Sequence, residues 1–195
     1  NMNIQPRFIE THRLAKFNPR GNDVPVILDL MIHDLDIILS LIKSEIKNIH
    51  ANGVKIVSPT VDIANARIEF NNGCVANLTS SRISQKSMRK MRLFQEKDYI
   101  TIDFQEGILE EYKICDNQPI PRKGDQVVKL NGKEKKYILY RKPSVPKHDA
   151  LKEELIHFVD SIQNVKQPET DGISATEALR LAFEIQKIID QQTYS

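Results

Sequence analysis

The stretch Asp29–Ser40, DLMIHDLDIILS, decides how this chain is read. From Val24 to Leu41 the residues are Val, Ile, Leu and Met, broken only by one Pro, one Ser, three Asp and one His. At 100° per residue, Asp29, His33, Asp36 and Ser40 share one narrow arc of a helix, while Asp34 points elsewhere. A helix so apolar packs inside the protein, and its polar arc faces something that requires it. Asp23 as N-cap and Pro25 in the first turn are expected to start the helix, which runs to Ile42 or Lys43.

Outward from this helix the rhythm changes. RFIETHRL (residues 7–14) before it alternates like a short strand. After it come IKNIHANGVKIV, VDIANARIEF, CVANLTSSRI, KMRLFQEKDYITIDF, ILEEYKI and KKYILYRK, all β-rich with period-two stretches. Asn71-Asn72-Gly73 reads as a hairpin turn, and connections this short favour antiparallel pairing. Residues 116–136, with Pro119, Pro121, Gly124 and Gly132, read as a long irregular loop. Two helices close the chain. Leu151, Leu155, Phe158, Val159 and Ile162 mark one face of the first, and Ser174 with Glu177 forms a capping box that opens the second. The fold class is therefore α+β: an open, mostly antiparallel sheet with helices on one face and the other face free for association.

Composition narrows the function. The 195 residues suit one domain; 40% are hydrophobic and 28% charged, as in an ordinary globular protein. A net charge of +2 is too small to suggest a nucleic-acid partner. Cys74 and Cys115 lack paired spacing, so neither a disulfide framework nor a structural zinc is expected, and a reducing cytoplasmic setting fits. No apolar run reaches the ~20 residues that span a bilayer, so no membrane partner is expected. In Asn1-Met2-Asn3 a residue precedes methionine, which raises the expectation of a longer parent protein.

The polar arc carries the chemistry. His33, with an unperturbed pKa near 6.5, takes and returns a proton at neutral pH, and Asp29 one turn before it is within reach. Such a pair is what a general base acting on a substrate hydroxyl requires. On spacing alone the arc serves equally well as a buried hydrogen-bonding layer. A metal held by Asp29, His33 and Asp36 lacks a second ligand motif, so no metal is expected. Two basic stretches flank the helix: His12, Arg13, Lys16 and Arg20, then Arg82, Lys86, Arg89, Lys90 and Arg92. Arg13 and Arg82 each close an apparent strand and are the expected anion-binding pair for a substrate; the residues after Arg82 read mainly as solvated charge.

VILDLMIHDLDIIL resembles the substrate-domain helix of the glucose–fructose oxidoreductase, inositol dehydrogenase and MocA (Gfo/Idh/MocA) family, with its Asp-x-x-x-His-Asp-x-Asp motif. The likeness continues through DIANARIEFNNGCVANLTSSRIS and ends in TDGISATEALRLAFEIQKII, so it spans nearly the whole chain. The resemblance implies the C-terminal half of an NAD- or NADP-dependent dehydrogenase that oxidises a sugar hydroxyl, with a UDP-N-acetylhexosamine oxidised at C3 as the implied substrate. It implies His33 as catalytic base, Asp29 as its partner and Asp36 in a supporting position. It also implies that residues 1–195 form a single substrate-binding and oligomerisation domain, in a homodimer or homotetramer. The family's Gly-x-Gly-x-x-Gly and Glu-Lys-Pro motifs are absent, and the seven glycines stand singly. The expected Rossmann domain thus lies outside this chain, which alone is expected to be inactive. A non-catalytic sugar-binding or oligomerisation module of the same fold is the alternative.

Overall fold

The computed structural model describes residues 4–19, 21, 23–132, 135–146, 149–168 and 171–193. Nine strands form one sheet: β1 Phe8–Leu14, β2 Ile46–Val54, β3 Ile63–Phe70, β4 Val75–Ser81, β5 Met88–Phe94, β6 Asp98–Asp103, β7 Ile108–Cys115, β8 Gln126–Leu130 and β9 Lys136–Arg141. Their order across the sheet is β2-β3-β4-β1-β5-β6-β7-β9-β8. Every pairing is antiparallel except β1 with β4. That parallel pair exists because the chain leaves β1 through a helix and two strands before returning beside it, a crossover that short hairpin connections cannot make. β8 lies within the stretch read as an irregular loop. Its alternation is only five residues long, so Pro119, Pro121 and Gly124 outweighed it in the sequence.

The helix after β1 opens as a π-turn, Ile27–Met31, and continues as α1, Ile32–Leu41. It starts later than Asp23 would place it, and no side chain caps it; instead the N–H groups of Leu28 and Asp29 donate to the Pro25 carbonyl. Ile27, Met31, Leu35 and Ile38 form its buried line, each burial stabilising the fold by roughly 1.5–3 kcal/mol. They pack on Ile9, Ala64, Ala66, Ile68, Ala76 and Leu78 from the sheet, together with Leu181, Ala182 and Ile185 of α3, Gly172–Thr193. At the hairpin between β3 and β4, Gly73 adopts φ 83°, which only glycine does cheaply.

α3 begins at Asp171, not at the expected Ser174 box. The Ser174 N–H and hydroxyl both donate to the Asp171 carboxylate at 2.8 Å, because an ionised acceptor three residues upstream outcompetes a hydroxyl cap. The other closing helix, α2, Ala150–Gln163, turns its predicted apolar face outward. Leu151, Leu155, Phe158, Val159 and Ile162 stay exposed among the described residues. No helix is long and apolar enough to cross a membrane.

Because β1 alternates half-buried and buried, Ile9, Thr11 and Arg13 face the helices while Phe8, Glu10 and His12 face away. On that open face Phe8, Phe94, Tyr99, Tyr112 and Tyr140 are successive cross-strand neighbours. Their rings stack in a ladder with centroids 4.6–5.7 Å apart. Beside them runs a polar row, Arg67, Asn77, Glu10, Arg92 and Thr101. The open face thus carries an aromatic row beside a polar one that includes Arg67, Glu10 and Arg92.

Candidate functional site

The first part of the polar arc, with Arg13 and Arg82, lies at one end of the sheet. The start of the helix is fixed there by the Val26 N–H, which donates to Val61 just before β3. Its other end is held near the β3–β4 hairpin, where the Asn71 N–H donates to Glu45. The π-turn therefore sits at the end where β1 and β4 finish, beside Arg13 and Arg82.

His33 is exposed, which excludes the reading of the arc as a buried hydrogen-bonding layer. It lines a cavity of about 230 Å³ with Ile32, Asp36, Asp171, Ser174, Ala175 and Ala178. That volume falls short of the ~300–1,000 Å³ of a typical small-molecule site, so this cavity does not by itself enclose such a ligand. Two shallow clefts of about 970 and 980 Å³ are larger, but neither is lined by His33. Asp29 is exposed, and among the described residues no hydrogen bond joins it to His33. Asp36 is half-buried on the cavity wall. Across the cavity, the Ser174 N–H and hydroxyl, then Gln167, hold the Asp171 carboxyl down at about 2. Asp171 is thus a fixed negative charge facing His33, a wall residue that the sequence reading missed because a cap and a site residue look alike in sequence.

Arg13 and Arg82, expected from the sequence as an anion-binding pair, are each engaged within the domain. Arg13 reaches Asp34 with both arms of its guanidinium: Nη2 donates to Oδ1 at 2.6 Å and Nε to Oδ2 at 3.0 Å, with only 8% and 3% of the two residues exposed. Arg82, 5% exposed, donates to the carbonyls of Gly21 at 3.2 Å, Val61 at 3.3 Å and Val24, and its Nε lies 3.8 Å from Asp62. Asp62, fully buried, accepts from the N–H groups of Ile56 and Val57 at 2.7 Å and of Ser58 at 3.0 Å. Burial pushes its carboxyl up, yet the contacts from Ser58, Val57 and Ile56 outweigh it and hold the group well below the usual carboxylate range. Both arginines instead brace the loops that carry the helix. Both guanidiniums are held in place by these partners and lie largely out of reach of solvent.

The remaining cations divide by face. Lys90 pairs with Asp103 at 3.2 Å and Arg92 with Glu10 at 3.0 Å on the open face, and Lys86 is exposed. Arg20 lies outside the described residues. Among the described residues no three His, Cys, Asp or Glu side chains converge as metal ligands. The loop from β1 to the π-turn carries the lone Gly21, whose carbonyl accepts from Arg82, and no Gly-x-Gly-x-x-Gly motif occurs in the sequence.

Residues 7–110 match the family described as the GFO/IDH/MocA C-terminal domain. The chain belongs to this family. The UDP-N-acetylglucosamine 3-dehydrogenase of Acidithiobacillus ferrooxidans is 35% identical over 187 residues, covering 95% of this chain and 55% of that protein. A solved structure of that dehydrogenase superposes with a TM-score of 0.80 at 32% identity, over 95% of this chain and 54% of the other. An NAD-binding protein from Listeria innocua shares the fold, with a TM-score of 0.72 at 17% identity over 96% and 54% of the two chains. This Gfo/Idh/MocA domain spans about half the length of the relatives it matches.

Proposed function

We propose that this domain is the substrate half of an NAD- or NADP-dependent dehydrogenase that oxidises the C3 hydroxyl of a UDP-N-acetylhexosamine, with His33 taking the hydroxyl proton. The 35% identity to a UDP-N-acetylglucosamine 3-dehydrogenase, running through 95% of the chain, carries the reading. The exposed His33 supports it, because an imidazole open to a cavity can meet a substrate hydroxyl. The nicotinamide accepts the hydride, and residues beyond this chain hold it in a Rossmann domain that completes the site. Asp29 stays the expected partner of His33, and Asp36 supports the wall. Incubating the full-length protein with UDP-N-acetylglucosamine and NAD⁺ or NADP⁺ tests this by the absorbance of reduced nicotinamide. We expect reduction with the full-length protein and none with residues 1–195 alone. No reduction with any nucleotide sugar or free sugar sinks the reading in favour of a non-catalytic module.

The open sheet face supports a second part of the reading, a homodimer or homotetramer joined face to face. Aromatic ladders are costly to leave in water, and the Arg67, Glu10 and Arg92 row alternates in charge, so a two-fold copy can complement it. Sedimentation is expected to give a dimer or tetramer; a monomer at every practical concentration counts against it.

A further inference from the structure

We infer that Arg89 is the residue that grips the diphosphate of a nucleotide-sugar ligand at the His33 end of the sheet. The inference rests on the nucleotide-sugar reading only for the identity of the ligand; the cation itself is placed by the fold. Along β5, Met91 and Leu93 are buried against the helices, and Arg89, two residues from Met91, projects on that same face. Arg89 is the direct cross-strand partner of Arg13. Side chains so paired stand roughly 5 Å apart at Cβ, and like charges placed opposite each other destabilise a sheet. One carboxylate serves the two guanidiniums, and Arg13 already takes both oxygens of Asp34. No other carboxylate among the described residues pairs with Arg89. An uncompensated positive charge therefore remains at this spot, with the next residue of the chain after the base, Asp34, beside it.

Phe104 makes Arg89 a prepared donor. The guanidinium carbon lies 5.1 Å from the centre of the Phe104 ring. A guanidinium on an aromatic face spends its π-face there and keeps its in-plane N–H groups for a ligand, which suits the bidentate geometry of a phosphate. Partial desolvation, then the Arg13 charge, pull Arg89 below its ordinary value while Asp34 opposes them; an arriving anion relieves both strains. The Ser84 N–H donates to Ala15 and ties together the segments that carry the exposed Lys16 and Lys86. In a nucleotide sugar the diphosphate hangs on C1 of the very ring whose hydroxyl reacts. A base for the ring and a cation for the diphosphate must then sit about a ring's width apart. Asp34, the residue after His33 on the helix, ties that helix to Arg13, and Arg13 stands directly opposite Arg89, so both groups belong to the same end of the sheet.

Calorimetric titration of the protein as its gene encodes it, with UDP, uridine and pyrophosphate, tests this. We expect Arg89→Met to weaken UDP about 10- to 100-fold, the worth of a charge-assisted hydrogen-bonded contact. Uridine binding should not change, pyrophosphate should compete with UDP in the wild type only, and Arg89→Lys should fall between. Lys129→Met, on the distant edge strand β8, should bind UDP like the wild type. UDP binding no tighter than uridine in the wild type, or undiminished in Arg89→Met with normal thermal melting, overturns the inference. Oxidation of UDP-N-acetylglucosamine with the same KM in Arg89→Met also overturns it while the dehydrogenase reading stands. UDP binding that needs Arg89, in a protein that oxidises no nucleotide sugar, leaves the anion site standing and removes the dehydrogenase.

Discussion

His33→Ala in the full-length protein is expected to lower kcat by about 10²- to 10⁴-fold, the usual contribution of a positioned general base. The argument starts from exposure. The Ile27, Met31, Leu35 and Ile38 line makes the core contacts of this helix, and His33 lies outside it, on a cavity wall with Asp36 and Asp171. Removing an exposed imidazole should change stability by no more than about 0.5 kcal/mol. Activity and stability therefore separate cleanly in this variant. Asp29→Asn should cost less, because no hydrogen bond within the described residues ties it to the imidazole. Steady-state rates beside thermal melting of the same samples decide the matter. A variant that melts early but keeps its specific activity makes His33 a structural residue and ends the base assignment.

The helix, its polar arc and most strands were legible because each rests on a local period that survives into the fold. The sheet's open face was legible too, though its composition was not: alternation reveals two faces without saying which neighbours pair across strands. Only register turns Phe8, Phe94, Tyr99, Tyr112 and Tyr140 into one ladder. The intradomain partners of Arg13 and Arg82 were hidden for the same reason. Arg13 meets Asp34 across 21 residues of sequence, and Arg82 meets Gly21 across 61. Nothing local marks either arginine as already paired, or Arg89 as the one left over. The π-turn was hidden as well, since one extra residue per turn over Ile27–Met31 barely shifts the arc that holds Asp29 and His33.

Asp34→Ala is expected to destabilise the domain by about 3–5 kcal/mol, the cost of leaving one member of a buried ion pair alone. For a domain of this length that lowers Tm by roughly 6–20 °C. Arg13 would keep its charge at 8% exposure with no acceptor, directly opposite the Arg89 charge. The two guanidiniums would then repel in a partly desolvated corner, and added salt should recover only part of the loss, because buried charges are poorly screened. Replacing both partners separates charge from packing. Arg13→Met with Asp34→Leu removes the pair and its repulsion with Arg89 together, and should recover most of the stability. Its activity should still fall, because the salt bridge also anchors the turn that carries His33 to β1, and an apolar pair lacks its directional hold. Urea melts of the two single variants and the double variant test this. If Asp34→Ala costs less than about 1 kcal/mol, the pair has the weight of a solvated surface bridge. The start of α1 is then held by its apolar line alone.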